Sequence, residues 1–412
     1  MRTTRANSAL LLLVVGIVAL QAAPCFAFGG PEYGGYHPYA APYPGMGNPG
    51  MMGGGGGCMD GCGYSGDFAD AMSCGQWGGC SGSYVNLGDT CTGPDWYDFM
   101  VEGVGFFRDM GAQGVRDISS QGIRGAGPPN TVLGRDSFDT DWAANARFSL
   151  RYQTSAVHDF EATYLANMRF VDRATFTSAN NDIYSVFSDF GNDPAGGYEE
   201  TGQAFRHTIA YESQLEGVEL NSRRSWTMAG WQVHGSWLIG LRYLHLDESF
   251  QYLTEVQPHF DPINQVARDA ASMDYLVTTN NDLLGPQFGG EFTRSFFPGL
   301  IGGMQFKTGI YGNSASQRTR IVADTLVPSV VESFKDEDVA FIGEFRTYMI
   351  YQFHPLWKIR AGYELLWLSG VALANENFNT QSPFEGVSRD LFLNASGDVL
   401  YQGVSAGLEF GW

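Results

Sequence analysis

The sequence predicts an all-β protein, a transmembrane antiparallel up-and-down β-barrel of about 12 strands within a range of 10–14. Three observations carry this: alternation with a period of two, strands too long for an ordinary globular sheet, and an aromatic-rich, charge-poor composition. The alternation is plainest at residues 399–412 (VLYQGVSAGLEFGW). Trp412, Phe410, Leu408, Ala406 and Val404 form one apolar set, while Gly411, Glu409, Gly407, Ser405 and Gly403 form a small or polar one. Successive strand residues point to opposite faces, so this is a strand with one oily side. It runs to the last residue and ends on an aromatic, as the closing strand of an outer-membrane barrel does. Trp412, Phe410 and Leu408 are therefore the expected signal to the barrel-assembly machinery. A soluble secreted sandwich is the competing reading.

Composition agrees. Aromatics make up 14% of the chain, charged residues only 17%, and there are 54 glycines. That mixture suits an exported all-β protein. The net charge of −20 argues against nucleic acid as a partner, which would need a basic footprint.

Domain organisation follows from the N-terminal third. Arg2 and Arg5 precede an apolar run at residues 9–20, and Cys25-Phe26-Ala27 offers a cleavage site. A spanning helix needs ~20 apolar residues, so residues 1–27 are expected to be a secretory signal peptide. A lipid-modified Cys25 is disfavoured by Pro24. Residues 28–95 are low in complexity and rich in Gly, Pro and Tyr, ending one stretch in five consecutive glycines (53–57). Such a segment buries too little apolar surface to fold, and is expected to be a disordered, flexible arm. Cys58, Cys62, Cys74, Cys80 and Cys91 all lie there. Their spacings do not match a standard zinc site, and disulfide staples or crosslinks are the expected use. The barrel is expected over residues 96–412.

Within that region the strands read off in order. Residues 97–101 begin the first. Residues 143–153 alternate Ala144, Ala146, Phe148, Leu150 and Tyr152 with Arg147 and Arg151, and residues 158–170 place Glu161 and Arg169 opposite Phe160 and Tyr164. Residues 204–220 carry Arg206, Glu212, Gln214 and Glu216 on one face, and residues 237–252 put Arg242 and Glu248 in phase. Residues 275–293 hold Asn281, Gln287 and Glu291 on one face; Pro286 on the other predicts a bend or bulge. Residues 303–313 present Lys307, residues 339–353 Glu344 and Arg346, and residues 357–371 Lys358, Arg360 and Glu364. His354-Pro355-Leu356 reads as a short turn. Many of these strands reach ten residues, against ~9–11 for a membrane-spanning strand and ~5–6 for a globular one. A further pair is expected in residues 108–130 or 222–233, which makes the number 12.

Four segments resemble a beta-barrel porin family found mainly in planctomycetes: residues 237–250 (WLIGLRYLHLDESF), 280–290 (NNDLLGPQFGG), 307–313 (KTGIYGN) and 362–374 (GYELLWLSGVALA). The resemblance covers roughly residues 96–412 and leaves out the arm. It implies an outer-membrane barrel with no catalytic residues, and it brings no established solute.

The chemistry read from the residues themselves is sparse. No two histidines have HExxH spacing, no G-x-S-x-G elbow occurs, and the glycine run is not a phosphate loop. No catalytic residue, cofactor or metal is expected. Arg147, Arg151, Glu161, Arg169, Arg242, Glu248, Gln287, Glu291, Lys307, Glu344, Arg346, Lys358, Arg360, Glu364 and Glu409 are instead expected to line a lumen. With Arg206, Asp159, Glu212 and Glu216 added, the inward charges balance, which predicts a narrow lumen of weak selectivity. Outer-membrane lipid and small solutes are then the expected partners in the bacterial outer membrane. The alternative is a structural anchor whose arm contacts cell wall or neighbouring proteins.

Overall fold

The computed structural model describes residues 96–110, 117–122, 130–138, 142–191, 199–228, 233–261, 265–326, 328–380 and 393–412. The expected signal peptide and arm, with their cysteines, lie outside them. In chain order the strands are β1 (Tyr97–Met110), β2 (Asp117–Gln121), β3 (Thr131–Gly134), β4 (Trp142–Gln153), β5 (His158–Thr177), β6 (Ile183–Ser185), β7 (Arg206–Met228) and β8 (Val233–Val256). They continue with β9 (His259–Asp261), β10 (Val266–Arg268), β11 (Ala271–Phe297), β12 (Leu300–Ala323), β13 (Val330–His354), β14 (Trp357–Val371) and β15 (Gly397–Gly411).

Ten of these close a barrel in the order β1-β15-β14-β13-β12-β11-β8-β7-β5-β4, with β4 returning to β1 and every pair antiparallel. The favoured number of 12 is therefore corrected to ten. Residues 222–228 do not start a new hairpin; they prolong β7 to 23 residues. Residues 117–134 supply β2 and β3, which join β6 in a small separate sheet ordered β3-β2-β6. Pro286 is not at an edge or bulge either. It sits in a central strand paired to Leu241, and the ladder to β12 lapses at Gly285 and Pro286 without a change of register. The missing proline N–H is absorbed by that gap.

The short connections share the end that holds both Trp96 and Trp412, whose backbones are hydrogen-bonded at 2.8 Å. At one of them, the Nδ1 of His354 accepts from the Leu356 N–H at 3.2 Å, as expected of a turn. The long loops share the opposite end.

The strands overshoot a membrane. β11 has 27 residues, roughly 90 Å of chain at ~3.3 Å per residue, where the apolar band of such a barrel is ~25 Å tall. The outward side chains show where the band stops. On β8 they run Trp237, Ile239, Leu241 and Tyr243, then His245, Asp247, Ser249 and Gln251. On β11 Phe288 and Leu284 give way to Asp282, Asn280 and Thr278; on β12 Ile310 gives way to Ser314, Ser316 and Arg318. The barrel is oil-outside near its termini and water-outside towards its loops. Spin labels at Leu150 and Ile359, both exposed on the outer face, should be shielded by lipid, while one at Asp247 should be reached by water-soluble relaxation agents. Water access at Leu150 and Ile359 would refute the band.

The wall is uneven. β14, β15, β1 and β4 are short, so β13 meets β14 only from Phe341 onwards and β5 meets β4 only up to Leu165. Beyond those points β13 and β5 are edge strands among the described residues. Both carry charges there, Lys335, Asp336, Glu337 and Asp338 on one and Arg169, Asp172 and Arg173 on the other, which discourage pairing with another chain.

Candidate functional site

The interior is stacked in layers. Nearest the termini is a polar vestibule of about 240 Å³, lined among others by Asp98, Arg151, Asp159, Arg223, Glu291, Lys358, Arg360 and Glu409. Lys358 reaches Glu409 at 2.8 Å, and Arg360 reaches it at 3.5 Å while lying 4.3 Å from the ring centre of Tyr348. Arg223 bridges Glu161 at 2.6 Å and is also bonded to Glu291; Arg151 adds a 3.3 Å contact to Glu161.

Above it lie two closed rings of four charges. In the first, Arg147 grips Glu364 through two bonds of 2.8 and 2.7 Å, Glu364 meets Arg346 at 2.8 Å, Arg346 meets Glu102 at 2.8 Å, and Glu102 returns to Arg147 at 3.5 Å. In the second, Arg242 meets Glu344 at 2.9 Å and Glu219 at 3.4 Å, and Lys307 meets the same two acids at 3.6 and 2.8 Å. Gln287 donates to Glu219 at 3.0 Å and to Asn221 at 2.7 Å. In each ring two contacts join directly paired residues of neighbouring strands, Glu102 with Arg147 and Arg346 with Glu364 in the first, Glu219 with Arg242 and Lys307 with Glu344 in the second. The other two, Arg147–Glu364 and Arg346–Glu102, then Arg242–Glu344 and Lys307–Glu219, join strands three apart in the sheet and so cross the lumen. A ring of alternating sign offers no net attraction to either sign of ion, unlike a ring of like charge.

Higher still the interior turns apolar. Val104, Phe106, Leu215, Leu244, Leu283, Ile342, Leu366 and Tyr401 belong to one buried cluster to which all ten barrel strands contribute. A ten-stranded barrel is only a little wider than one whose side chains fill it. Arg108 and Glu248 pair across this level, with Glu248 also accepting from the Tyr211 hydroxyl at 2.7 Å.

At the top the chain itself enters the barrel. Residues 371–378, the last residue of β14 and the seven after it, are all buried. Wall side chains read their backbone. Asn281 accepts from the Ala372 N–H at 2.7 Å and donates to its carbonyl at 2.8 Å. Asn313 donates to the Gly370 carbonyl at 3.0 Å, Tyr275 to that of Asn379 at 3.2 Å, and the Ala374 N–H donates to Glu248 at 3.0 Å. Phe378 fills an aromatic socket of Phe187, Phe250, Tyr252 and Tyr275, with ring centres 4.8–6.0 Å away. Ile118 of β2 and Leu133 of β3 close the same cluster from above. Here Ser119, His207 and Tyr252 form a hydrogen-bonded trio, with Ser119 Oγ 2.8 Å from His207 Nδ1; all three have 0% exposure, so solvent and substrate have no access. It fastens the cap.

The structure thus brings fourteen of the fifteen candidate lumen residues inside, and corrects one. Arg169 is on the outer face, paired with Glu212 at 2.7 Å. A register shift between Leu165 and Met168 turns it over. Arg206, Glu212 and Glu216 are outside as well, because β7 lies above the apolar band there and its buried face carries Ile209, Tyr211 and Leu215. Asp98, Glu102, Arg108, Glu219 and Arg223 are inside and are not among the candidates. Their signal was present: Glu102 and Arg108 fall in phase with Met100, Val104 and Phe106, and Glu219 and Arg223 fall in phase with Asn221. The lumen stays close to balance, since two bases and two acids leave while two bases and three acids enter.

A closed barrel with an oily outer band, aromatic at both ends of its closing seam, is an outer-membrane-type β-barrel. Residues 206–412 match the beta barrel porin-7 (BBP7) family, and the chain belongs to that family. The match takes in β7 to β15, so two strands of the first charge ring, β13 and β14, lie inside it and two, β1 and β4, lie outside. Among solved structures, the chain is similar to the outer membrane protease OmpT from Escherichia coli, with 12% identity, 77% of this chain and 97% of that one covered, and a TM-score of 0.37. It is also similar to the translocator domain of the autotransporter NalP from Neisseria meningitidis (8% identity, 81% and 92% covered, TM-score 0.25). A third is the Pseudomonas putida toluene transporter TodX (9% identity, 77% and 90% covered, TM-score 0.22). No curated protein sequence matches the chain.

Proposed function

We propose that this chain is a gated, porin-like barrel of the bacterial outer membrane, shut in the state described here. Its short turns and termini face the periplasm and its long loops face outwards, the usual arrangement of such barrels. Residues 1–27 direct export, and the terminal aromatics engage the assembly machinery. Small solutes pass only when residues 371–380 leave the barrel. The observation that supports a gate is the seat itself. Polar side chains of β8, β11 and β12 hold the segment by its backbone, and Asn281 does so through both its oxygen and its nitrogen. Hydrogen bonds to a strand of backbone can be exchanged for water at a net cost of only about 0.5–1.5 kcal/mol each.

Single-channel recording of the full chain in planar bilayers tests this. The native chain should stay closed with rare, small openings, weakly selective because the rings balance. Asn281→Ala should raise the open fraction several-fold. Steady large currents from the native chain would restore a passive pore. Silence from both would favour the second reading, a structural anchor, which the apolar cluster drawn from all ten strands supports. In that reading the barrel holds the cysteine-bearing arm beside the cell wall or a neighbouring protein. Neither reading calls for catalysis.

A further inference from the structure

The segment that fills the barrel mouth carries one feature that its seating does not explain. Glu376 lies among residues 371–378, and it is only 8% exposed. Neither of its carboxylate oxygens has a hydrogen-bond partner among the described residues. The neighbouring Asn377 is served, donating to the Leu373 carbonyl at 2.8 Å and to the Asn394 carbonyl at 2.9 Å. The Asn375 Oδ1 is also without a partner among the described residues, but it is uncharged and its burial costs far less than that of a carboxylate. Glu376 instead packs against backbone. A methyl group added to Gly397 would come within 2.8 Å of its Oε2, so the wall of β15 approaches the carboxyl as closely as glycine permits. An ionised carboxylate buried without donors is expensive; a protonated one is much less so.

The charged groups facing it complete the picture. Glu248 of β8 and Asp398 of β15 oppose its ionisation, and Arg108 of β1 favours it. Arg108 is already committed to Glu248, so it offers Glu376 little. Burial is the largest influence, followed by Glu248 and then Asp398, and together they push the Glu376 carboxyl up to about 7. Gly370 has φ +82°, which lets the backbone turn sharply out of β14, and Gly397 opens β15 at the other end.

We propose that Glu376 is a proton-operated latch, with residues 371–380 seated in the barrel while its carboxyl is protonated and released when it ionises. This rests on the gate reading only in naming what the release opens. The sign follows from linkage. The seated carboxyl holds its proton to a higher pH than a free one, so the seated state binds more protons. Seating is favoured at low pH and weakens as pH rises from about 4.5 to about 7. The segment opens in neutral to alkaline surroundings and shuts in acid.

Hydrogen exchange of the full chain in lipid nanodiscs reads this directly. Amide protection of residues 371–380, corrected for the intrinsic pH dependence of exchange, should fall roughly tenfold to thirtyfold between pH 5.5 and pH 8.5. Glu376→Gln keeps the shape and removes the charge, so it should stay protected at both values. Asp398→Asn removes one repelling neighbour and should shift the loss to lower pH. Native protection that does not change with pH, or a Glu376→Gln chain that loses it equally, would overturn the latch. Exchange reports the segment whether or not an ion passes. A pH-dependent segment in a barrel that never conducts would therefore keep the latch and discard the gate.

Discussion

Glu364→Ala is expected to cost about 3–5 kcal/mol of barrel stability, because it strands two buried guanidinium groups. Glu364 is the common partner of Arg147 and Arg346, and all three are nearly inaccessible. With it gone, Glu102 must serve both arginines, one of them already at 3.5 Å. The cost is mostly that of leaving charge in a low-dielectric interior, not of losing one attraction. Chemical unfolding in lipid vesicles, followed by tryptophan fluorescence, measures it. Arg169→Ala is the control: it also breaks an arginine–glutamate pair, but on the water-exposed outer face, where such pairs contribute little. If the two variants are equally stable, the crossing charges are not the structural centre of the lumen.

Phe378→Ala should be comparably severe, about 3–5 kcal/mol, through a different mechanism. Its ring is 3% exposed and sits among four other aromatic rings, two contributed by β8, one by β11 and one by the turn after β6. Truncation leaves a cavity that no neighbour is free to fill, since Phe187, Tyr252 and Tyr275 are themselves packed on one another. The loss should be local. Protection of residues 371–380 and of β2 should fall, while the terminal half of the barrel keeps its own. Uniform destabilisation of the whole barrel would show that cap and barrel unfold as one unit, and no measurable loss would show that the socket is not closed in the membrane.

These two sites sit on opposite sides of the apolar layer and fail for opposite reasons. Below it the interior is polar and held by charge; above it the interior is apolar and held by packing. The outside does the reverse. That inversion is what defines the height at which the barrel leaves the bilayer, between Tyr243 and His245 on β8 and between Leu284 and Asp282 on β11.

The sequence by itself determined the strands. A period of two is a local property, and the ten stretches read from it correspond to the ten barrel strands. It also determined most of the lower lumen, because Arg147, Arg242, Lys307, Glu344 and Glu364 each alternate with residues that belong in lipid. What only the tertiary structure decided is which face is inside once a strand leaves the membrane. Alternation specifies two faces but not which of them meets water, and the answer changes along one strand: Glu219 and Glu212 of β7 are an odd number of residues apart, and one is inside and the other out. Arg169 turned over for a further reason, a bulge that the local pattern does not reveal. Nor could periodicity show that residues 371–380 enter the barrel, since a plug has no repeat of its own. Its place is set by Asn281, Asn313 and Tyr275 on distant strands, whose side chains meet its backbone only after the sheet has closed.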